Sequence, residues 1–153
     1  AGARALWQAL HAAAPQAKLF AAGSLATPAF AAAAGPTAPA TYVTSPVLEA
    51  RRYPASAQEV LRRYRTTFGT DPTAYSLYGY EAMDSILAAI RVAGSHAGDR
   101  ASVVRAYFAL GVRDSVLGRY SVTANGDTTL ANMAGYRVGP DGRLRFDRLL
   151  AGG

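Results

Sequence analysis

The chain has no cysteine. That excludes disulfides, thiolate metal sites and cysteine nucleophiles, and it is compatible with either side of a membrane. Histidine is scarce too. His11 and His96 lie far apart with no acid at ligand spacing, so no metal site is expected. Both are read as surface residues. Lysine is nearly absent: of 16 basic residues only Lys18 is one, and the rest are arginine. No run of about 18 apolar residues occurs, so no segment is expected to span a membrane; Phe30 to Ala34 is apolar but far too short. Residues 1–14 lack a charged start followed by an apolar block, so they read as an amphipathic helix, not a secretory signal. The alanine start suggests a mature, trimmed or subcloned chain. There is no Gly-rich phosphate loop and no G-x-S-x-G elbow.

What remains suits one domain-length unit. The chain has 153 residues, half of them hydrophobic and only 17% charged, enough apolar material for a sizeable core. The formal charge is +6, but the arginines are scattered apart from Arg51-Arg52 and Arg62-Arg63-Arg65. A nucleic-acid partner would need them gathered on one face between stacking aromatics. They are read as solvated surface, with no nucleic-acid partner.

The most periodic stretch is Pro72 to Val92. Tyr75, Tyr78, Gly79, Ala82, Met83, Ile86, Leu87 and Ile90 recur at spacings of three and four, which predicts a central helix with that face inward. Asp71 would cap it, Pro72 would open it and Gly94 would stop it. Glu81, Asp84, Ser85 and Arg91 fall on the other side, and Tyr80 sits at the edge of the apolar face. Glu81 and Asp84 could form a general acid–base pair; the pair is read as a solvated flank.

The other elements follow in order. Residues 3–14 place Leu6, Trp7, Leu10 and Ala14 on one helical face, ended by Pro15. Lys18 to Ala22 suits a buried parallel strand. Gly23-Ser24-Leu25-Ala26 leads to Thr27-Pro28 and a short helix through Ala34, closed by Gly35. In an open α/β sheet, ligands bind beyond the carboxyl ends of strands, so Gly23, Ser24 and Leu25 are candidates by position. Thr41 to Thr44 reads as a second strand, and Ser45 to Pro54, with two prolines, as a crossover. Ser56 and Glu59 form a capping-box pattern before a helix that buries Val60, Leu61, Tyr64 and Phe68 and ends at Gly69. Asp99 caps another, with Val103, Val104, Tyr107 and Phe108 inward. The tail changes period. Gly118 to Thr123, Gly135 to Val138 and Leu144 to Phe146 read as antiparallel strands, with turns at Asn125-Gly126-Asp127 and Pro140-Asp141-Gly142. Asn125, Asp127 and Asp141 belong to turns, not to a calcium site.

Three stretches carry a resemblance: KLFAAGSLATPAF at Lys18 to Phe30, FGTDPTAYSLYGYEAMDSILAAI at Phe68 to Ile90, and GRYSVTANGDTTLANMAGYRVGPDGRLRF at Gly118 to Phe146. Together they resemble the C-terminal part of type I periplasmic binding proteins, in particular the leucine/isoleucine/valine-binding branch that serves ABC transporters. The resemblance implies an α/β fold: βα layers with an antiparallel β tail, incomplete relative to a two-lobed whole. Residues 1–47 would be a ligand-side piece, 48–55 a crossover, 56–114 a helical segment and 115–153 the β tail, with a further crossing near Ser115 to Gly118. The implied function is capture of a small molecule, an amino acid or related carboxylate or aromatic compound, without catalysis and without a cofactor. Gly23, Ser24 and Leu25 match the ligand-side loop, and Tyr80 and Tyr78 the cleft-approaching helix. Gly and Ser stand where amino-acid binders often supply an acid, so an aromatic or neutral polar ligand fits as well. The implied partner is a permease. The implied location is periplasmic or extracellular, with membrane anchoring of the full-length protein as one form. A fragment with bare strand edges is expected to form a homodimer through exposed or exchanged elements. The alternatives are a receptor's ligand-sensing domain, or a small α/β enzyme using Glu81, Asp84 or Asp127.

Overall fold

The computed structural model describes residues 2–25, 27–73 and 75–150. Ala26, the last residue of the expected Gly-Ser loop, and Ala74, inside the expected central helix, lie outside the described residues. The chain divides into two compact units: Ala1–Leu48 with Asn132–Gly153, and Glu49–Ala131.

The first unit is built on a mixed sheet of four strands, β1 (Leu19–Ala21), β2 (Thr41–Ser45), β5 (Met133–Val138) and β6 (Leu144–Leu150), in the order β1-β2-β5-β6. β1 and β2 are parallel, with Leu19 opposite Thr41 and Ala21 opposite Val43. β5 runs antiparallel to β2, and β6 to β5. A parallel pair needs a crossover connection. Here it is α2 (Pro28–Ala34) followed by a 3-10 helix over Gly35–Ala40. The Thr27 hydroxyl accepts a bond from the Phe30 N–H and starts α2, and Gly35 at φ 53° ends it. α1 (Gly2–Ala13) and α2 lay Trp7 and Phe30 on Leu19, Ala21 and Val43. Ala31, Ala34 and Ala38 pack on Val138. Leu6 and Leu10, expected beside Trp7, are exposed, while His11, read as a surface residue, is half-buried with its Nδ1 enclosed. On the other face of the sheet Phe20 stacks on Tyr42, with centroids 5.3 Å apart, and the Arg137 guanidinium lies over the Tyr42 ring. The β5–β6 turn needs Gly142 at φ 68°.

The second unit holds α3 (Ala55–Phe68), α4 (Ser76–Ala93), α5 (Arg100–Phe108) and a hairpin of β3 (Arg113–Ser115) and β4 (Gly118–Tyr120). Several expectations fail here. The central helix begins at Ser76, not Pro72, because the Asp71 carboxylate pairs with Arg65 at 2.7 Å and caps nothing. The Ser56/Glu59 box does not form either. α3 follows Pro54 directly, and Glu59 pairs with Arg62 at 2.6 Å. The third failure is the face of α4. Its buried residues are Leu77, Glu81, Ser85 and Ala89, while Met83 is 57% and Ile90 38% exposed, with Ile86 and Leu87 between them in value. Phe68, Val104 and Phe108, expected inside, are also exposed. Asp99 caps α5 as expected, accepting from the Ser102 N–H at 2.9 Å. Residues 115–118, expected to cross between units, turn the β3–β4 hairpin inside this one, where the Ser115 hydroxyl donates to the Gly118 carbonyl at 2.8 Å.

Candidate functional site

In the first unit the carboxyl ends of β1 and β2 form a rim. The chain leaves β1 at Ala21 and turns through a 3-10 helix at Gly23–Leu25. The Leu25 N–H donates to the Ala22 carbonyl at 2.9 Å, and Leu25 packs on the Trp7–Phe30 cluster. Leu25 is thus an anchor of the loop, while Ser24 is exposed beside it. Gly23 is required by a close approach. A Cβ there would lie 3.0 Å from the Thr44 carbonyl oxygen and 3.3 Å from the Ser45 Cα. At the end of β2 the Ser45 hydroxyl accepts the Val47 N–H at 3.1 Å, and the Tyr136 hydroxyl donates to the Val47 carbonyl at 2.8 Å. The rim is therefore held by close backbone contacts that a side chain at residue 23 would have to push apart. Gly23→Val is expected to destabilise this unit by about 1–3 kcal/mol, the usual cost of overpacking. Chemical denaturation followed by Trp7 fluorescence checks it, and an unchanged midpoint would refute the contact.

Sequence reasoning missed a concavity on the same unit. A hollow of about 230 Å³ is lined by Lys18, Phe20, Tyr42, Thr44, Asp147 and Arg148, among others. The alternation of β2, with Tyr42 and Thr44 turned away from the helices, is the signal that could have located it.

Tyr78 and Tyr80 belong to the second unit. Tyr78 is half-buried, its ring 5.9 Å from that of Tyr75. Tyr80 is exposed and lines a groove of about 270 Å³ between α3 and α4 with Arg63, Tyr64, Thr67 and Phe68. The structure thus places Gly23, Ser24 and Leu25 together, and the two tyrosines on a separate unit.

The carboxylates Glu81 and Asp84 are not a solvated flank. Glu81 is only 4% exposed. Its Oε1 accepts the Tyr120 hydroxyl at 2.8 Å and faces Arg113 Nη2 at 3.5 Å. The same Nη2 donates to Asp84 Oδ2 at 2.8 Å. One guanidinium contact and one phenol hydrogen bond, both on Oε1, tie this enclosed carboxylate to the hairpin, which suits a structural carboxylate better than a general base. Burial, then the Glu81 hydrogen bond and charge, push the Tyr120 hydroxyl up to about 12. Burial opposes the charge on Arg113, but Glu81, Tyr120 and Asp84 together outweigh it and hold the guanidinium above its ordinary value.

A linkage prediction follows from Tyr120. An unfolded tyrosine ionises near 10, so between 10 and 12 the folded chain binds the extra proton. The contribution is fully present below about pH 10 and is lost as pH rises through about 12. A tyrosinate absorbance titration should show one late-ionising group that Tyr120→Phe removes. A titration identical in the two proteins would contradict the assignment.

Among the described residues no group of three or more potential metal ligands gathers, and no helix is long and apolar enough to cross a membrane. Asn125, Asp127 and Asp141 lie in or beside turns, as the Gly126 and Gly142 backbones require.

Comparison with known proteins gives a consistent family. The Periplasmic binding protein family model matches residues 1–143. A Leu/Ile/Val-binding protein homolog from Brucella suis is 33% identical over 90 residues, covering 58% of this chain and 24% of that protein. A leucine binding protein, LivK, from Thermotoga maritima superposes with a TM-score of 0.75 at 17% identity, covering 97% of this chain and 41% of that one. An ABC transporter solute binding protein from R. palustris, solved with benzoate, gives 0.67 at 20% identity, covering 99% and 41%. The solved structures share the fold, a mixed α/β arrangement of which this chain is a part. It spans about a quarter of the curated relatives' length and about two-fifths of the solved chains'. With the family model running over nearly every element from α1 to the β5–β6 turn, the chain belongs to the periplasmic binding protein family.

Proposed function

We propose that this chain is part of a solute-binding protein that captures a small molecule for an ABC transporter and performs no catalysis. The match of the family model over 143 residues carries this reading. The ligand class is an amino acid or a related carboxylate or aromatic compound. The leucine and benzoate named for the Thermotoga and R. palustris proteins support that range. Gly23, Ser24 and Leu25 would supply one wall, since they cap the carboxyl ends of two parallel strands. Tyr78 and Tyr80 would supply aromatic contacts from α4. Residues 1–47 would act as the ligand-side piece, 48–55 as crossover, 56–114 as the helical segment and 115–153 as the β tail. The partner is a permease, and the location periplasmic or extracellular. The bare apolar face at Met83, Ile86, Leu87 and Ile90 supports an assembly that covers it, a homodimer being the simplest.

Isothermal titration with leucine, isoleucine, valine and benzoate tests the ligand reading, on this chain and on the full product of its gene. Saturable binding of one of them, weakened by Tyr80→Ala, is the expected result. No binding by the full product to any of the four would overturn the ligand class. Light scattering on the 153-residue chain tests the dimer, and a monomer at all concentrations would remove it.

A further inference from the structure

The carboxylate at residue 81 is an odd choice for the buried face of a helix. α4 turns Met83, Ile86, Leu87 and Ile90 outward and encloses Glu81. Apolar residues at 81, 113 and 120 together would hold the hairpin on the helix about as well, because a buried ion pair recovers little more than its own desolvation. What the ionic group adds is register. Arg113 and Tyr120 are opposed residues at the open ends of β3 and β4, and both reach Glu81. The hairpin has only three residue pairs, too few to stand alone, although Val116 and Leu117 at its turn are buried. Apolar contacts at the turn let a hairpin slide or tilt; directed charge-assisted bonds at its base do not.

The chain beyond Tyr120 is tied to it. The Ser121 N–H donates to the Thr129 hydroxyl at 2.8 Å, and the Thr129 N–H returns to the Ser121 carbonyl at 3.0 Å. Val122 bridges Thr128, and the Thr123 N–H reaches the Asp127 carbonyl at 2.8 Å. Residues 121–129 therefore double back as one closed piece, and the chain leaves this unit after Ala131.

We propose that Glu81, Arg113, Tyr120 and Asp84 form a latch: closed, it fixes the β3–β4 hairpin on α4, and released, it frees the hairpin together with residues 121–131, through which the chain returns to the first unit. The Arg113 Nε, enclosed without a hydrogen-bond partner, fits a joint held by a few directed bonds and not by complete satisfaction. Asp84, with its half-exposed carboxylate, gives Arg113 a place to stay when Glu81 lets go. This inference stands apart from the ligand reading, because none of Glu81, Asp84, Arg113 and Tyr120 is among the residues proposed to meet the ligand.

Hydrogen exchange by mass spectrometry on the intact chain at neutral pH tests it with Tyr120→Phe and Glu81→Gln. Each is expected to speed exchange over 113–131 by about tenfold or more, the size set by one hydrogen bond to a charged group. Exchange in α3 and in β2 should stay unchanged. The double variant should be no faster than the faster single one, since both break the same joint. If Glu81→Gln does not fold, Tyr120→Phe alone decides. Uniform acceleration through α3, α4 and the hairpin would mean general loosening and overturn the latch. So would acceleration of 113–120 that leaves 121–131 protected.

Discussion

Glu81→Ala is expected to cost the second unit about 3 kcal/mol or more, the range seen when one partner of a buried pair is removed. The carboxylate is enclosed, and two groups depend on its Oε1. Without it, the Tyr120 hydroxyl stays in a dry environment with no acceptor. An orphaned buried hydroxyl alone costs about 1–3 kcal/mol. Arg113 fares better, since Asp84 holds it at 2.8 Å from a more exposed position. That second anchor places the expected loss at the lower end of the range for broken buried pairs. Glu81→Gln keeps an acceptor for Tyr120 and should lose less. The informative control is Glu81→Leu with Arg113→Met and Tyr120→Phe, which removes every buried polar member at once and leaves only the half-exposed Asp84 carboxylate to water. Its stability should lie within about 1–2 kcal/mol of the parent, because no buried charge is left unpaired. Urea denaturation followed by circular dichroism reads all three. A loss below about 1 kcal/mol for Glu81→Ala would show that water replaces the carboxylate and that the site is not closed.

The same residue shows why the sequence was misread there. Helical periodicity identified α4 and grouped Met83, Ile86, Leu87 and Ile90 on one stripe, but it put that stripe inward, because a stripe says nothing about what the rest of the chain offers it. In the second unit α4 is met by a hairpin carrying an arginine and a tyrosine, so the polar side goes in. β3 itself was invisible: three residues, Arg113, Asp114 and Ser115, with no apolar alternation to mark them. The elements with strong local chemistry were legible. Thr27, Gly35, Asp99 and Gly142 each act where capping and turn preferences put them. Asp71 and Glu59 did not, and in both cases an arginine within six residues takes the carboxylate. In an arginine-rich chain a carboxylate's capping role competes with an ion pair that local pattern reading does not count. The rim at Gly23 to Leu25 was legible because glycine, a strand end and a Thr-Pro helix start occur in sequence. The hollow beside Phe20 and Tyr42 was not, because it depends on strands about a hundred residues apart.

Trp7→Ala should have a comparable effect on the first unit, costing about 3–5 kcal/mol. Trp7 is the largest residue of the core above β1 and β2, and its ring meets Phe30 edge-on at 5.5 Å. Its Nε1 donates to the Thr41 hydroxyl at 3.0 Å. The Thr41 hydroxyl in turn donates to the Thr37 carbonyl at 2.9 Å, and the Thr37 hydroxyl donates to the Ala34 carbonyl at 2.7 Å. This buried relay ties α1 to β2 and β2 to the end of α2, so the indole works both as filler and as the first donor. The two roles separate by substitution. Trp7→Phe keeps most of the ring and leaves Thr41 without a donor but still donating, so it should cost clearly less than alanine. Thr41→Val does the reverse. It leaves the indole N–H buried and unpaired and removes one of the bonds on the Thr37 carbonyl, which sets an expected loss of about 1–3 kcal/mol despite the near-equal shape. In the double variant Trp7→Phe with Thr41→Val the indole donor is gone, so no buried donor is left unpaired, and the combined loss should be less than the sum. Additive losses in that cycle would mean the relay carries nothing beyond packing. Against a total stability of about 5–15 kcal/mol for a domain of ordinary size, the alanine change alone brings this unit close to unfolding. The rim at Gly23, hung on Leu25 and through it on Trp7 and Phe30, would be lost with it.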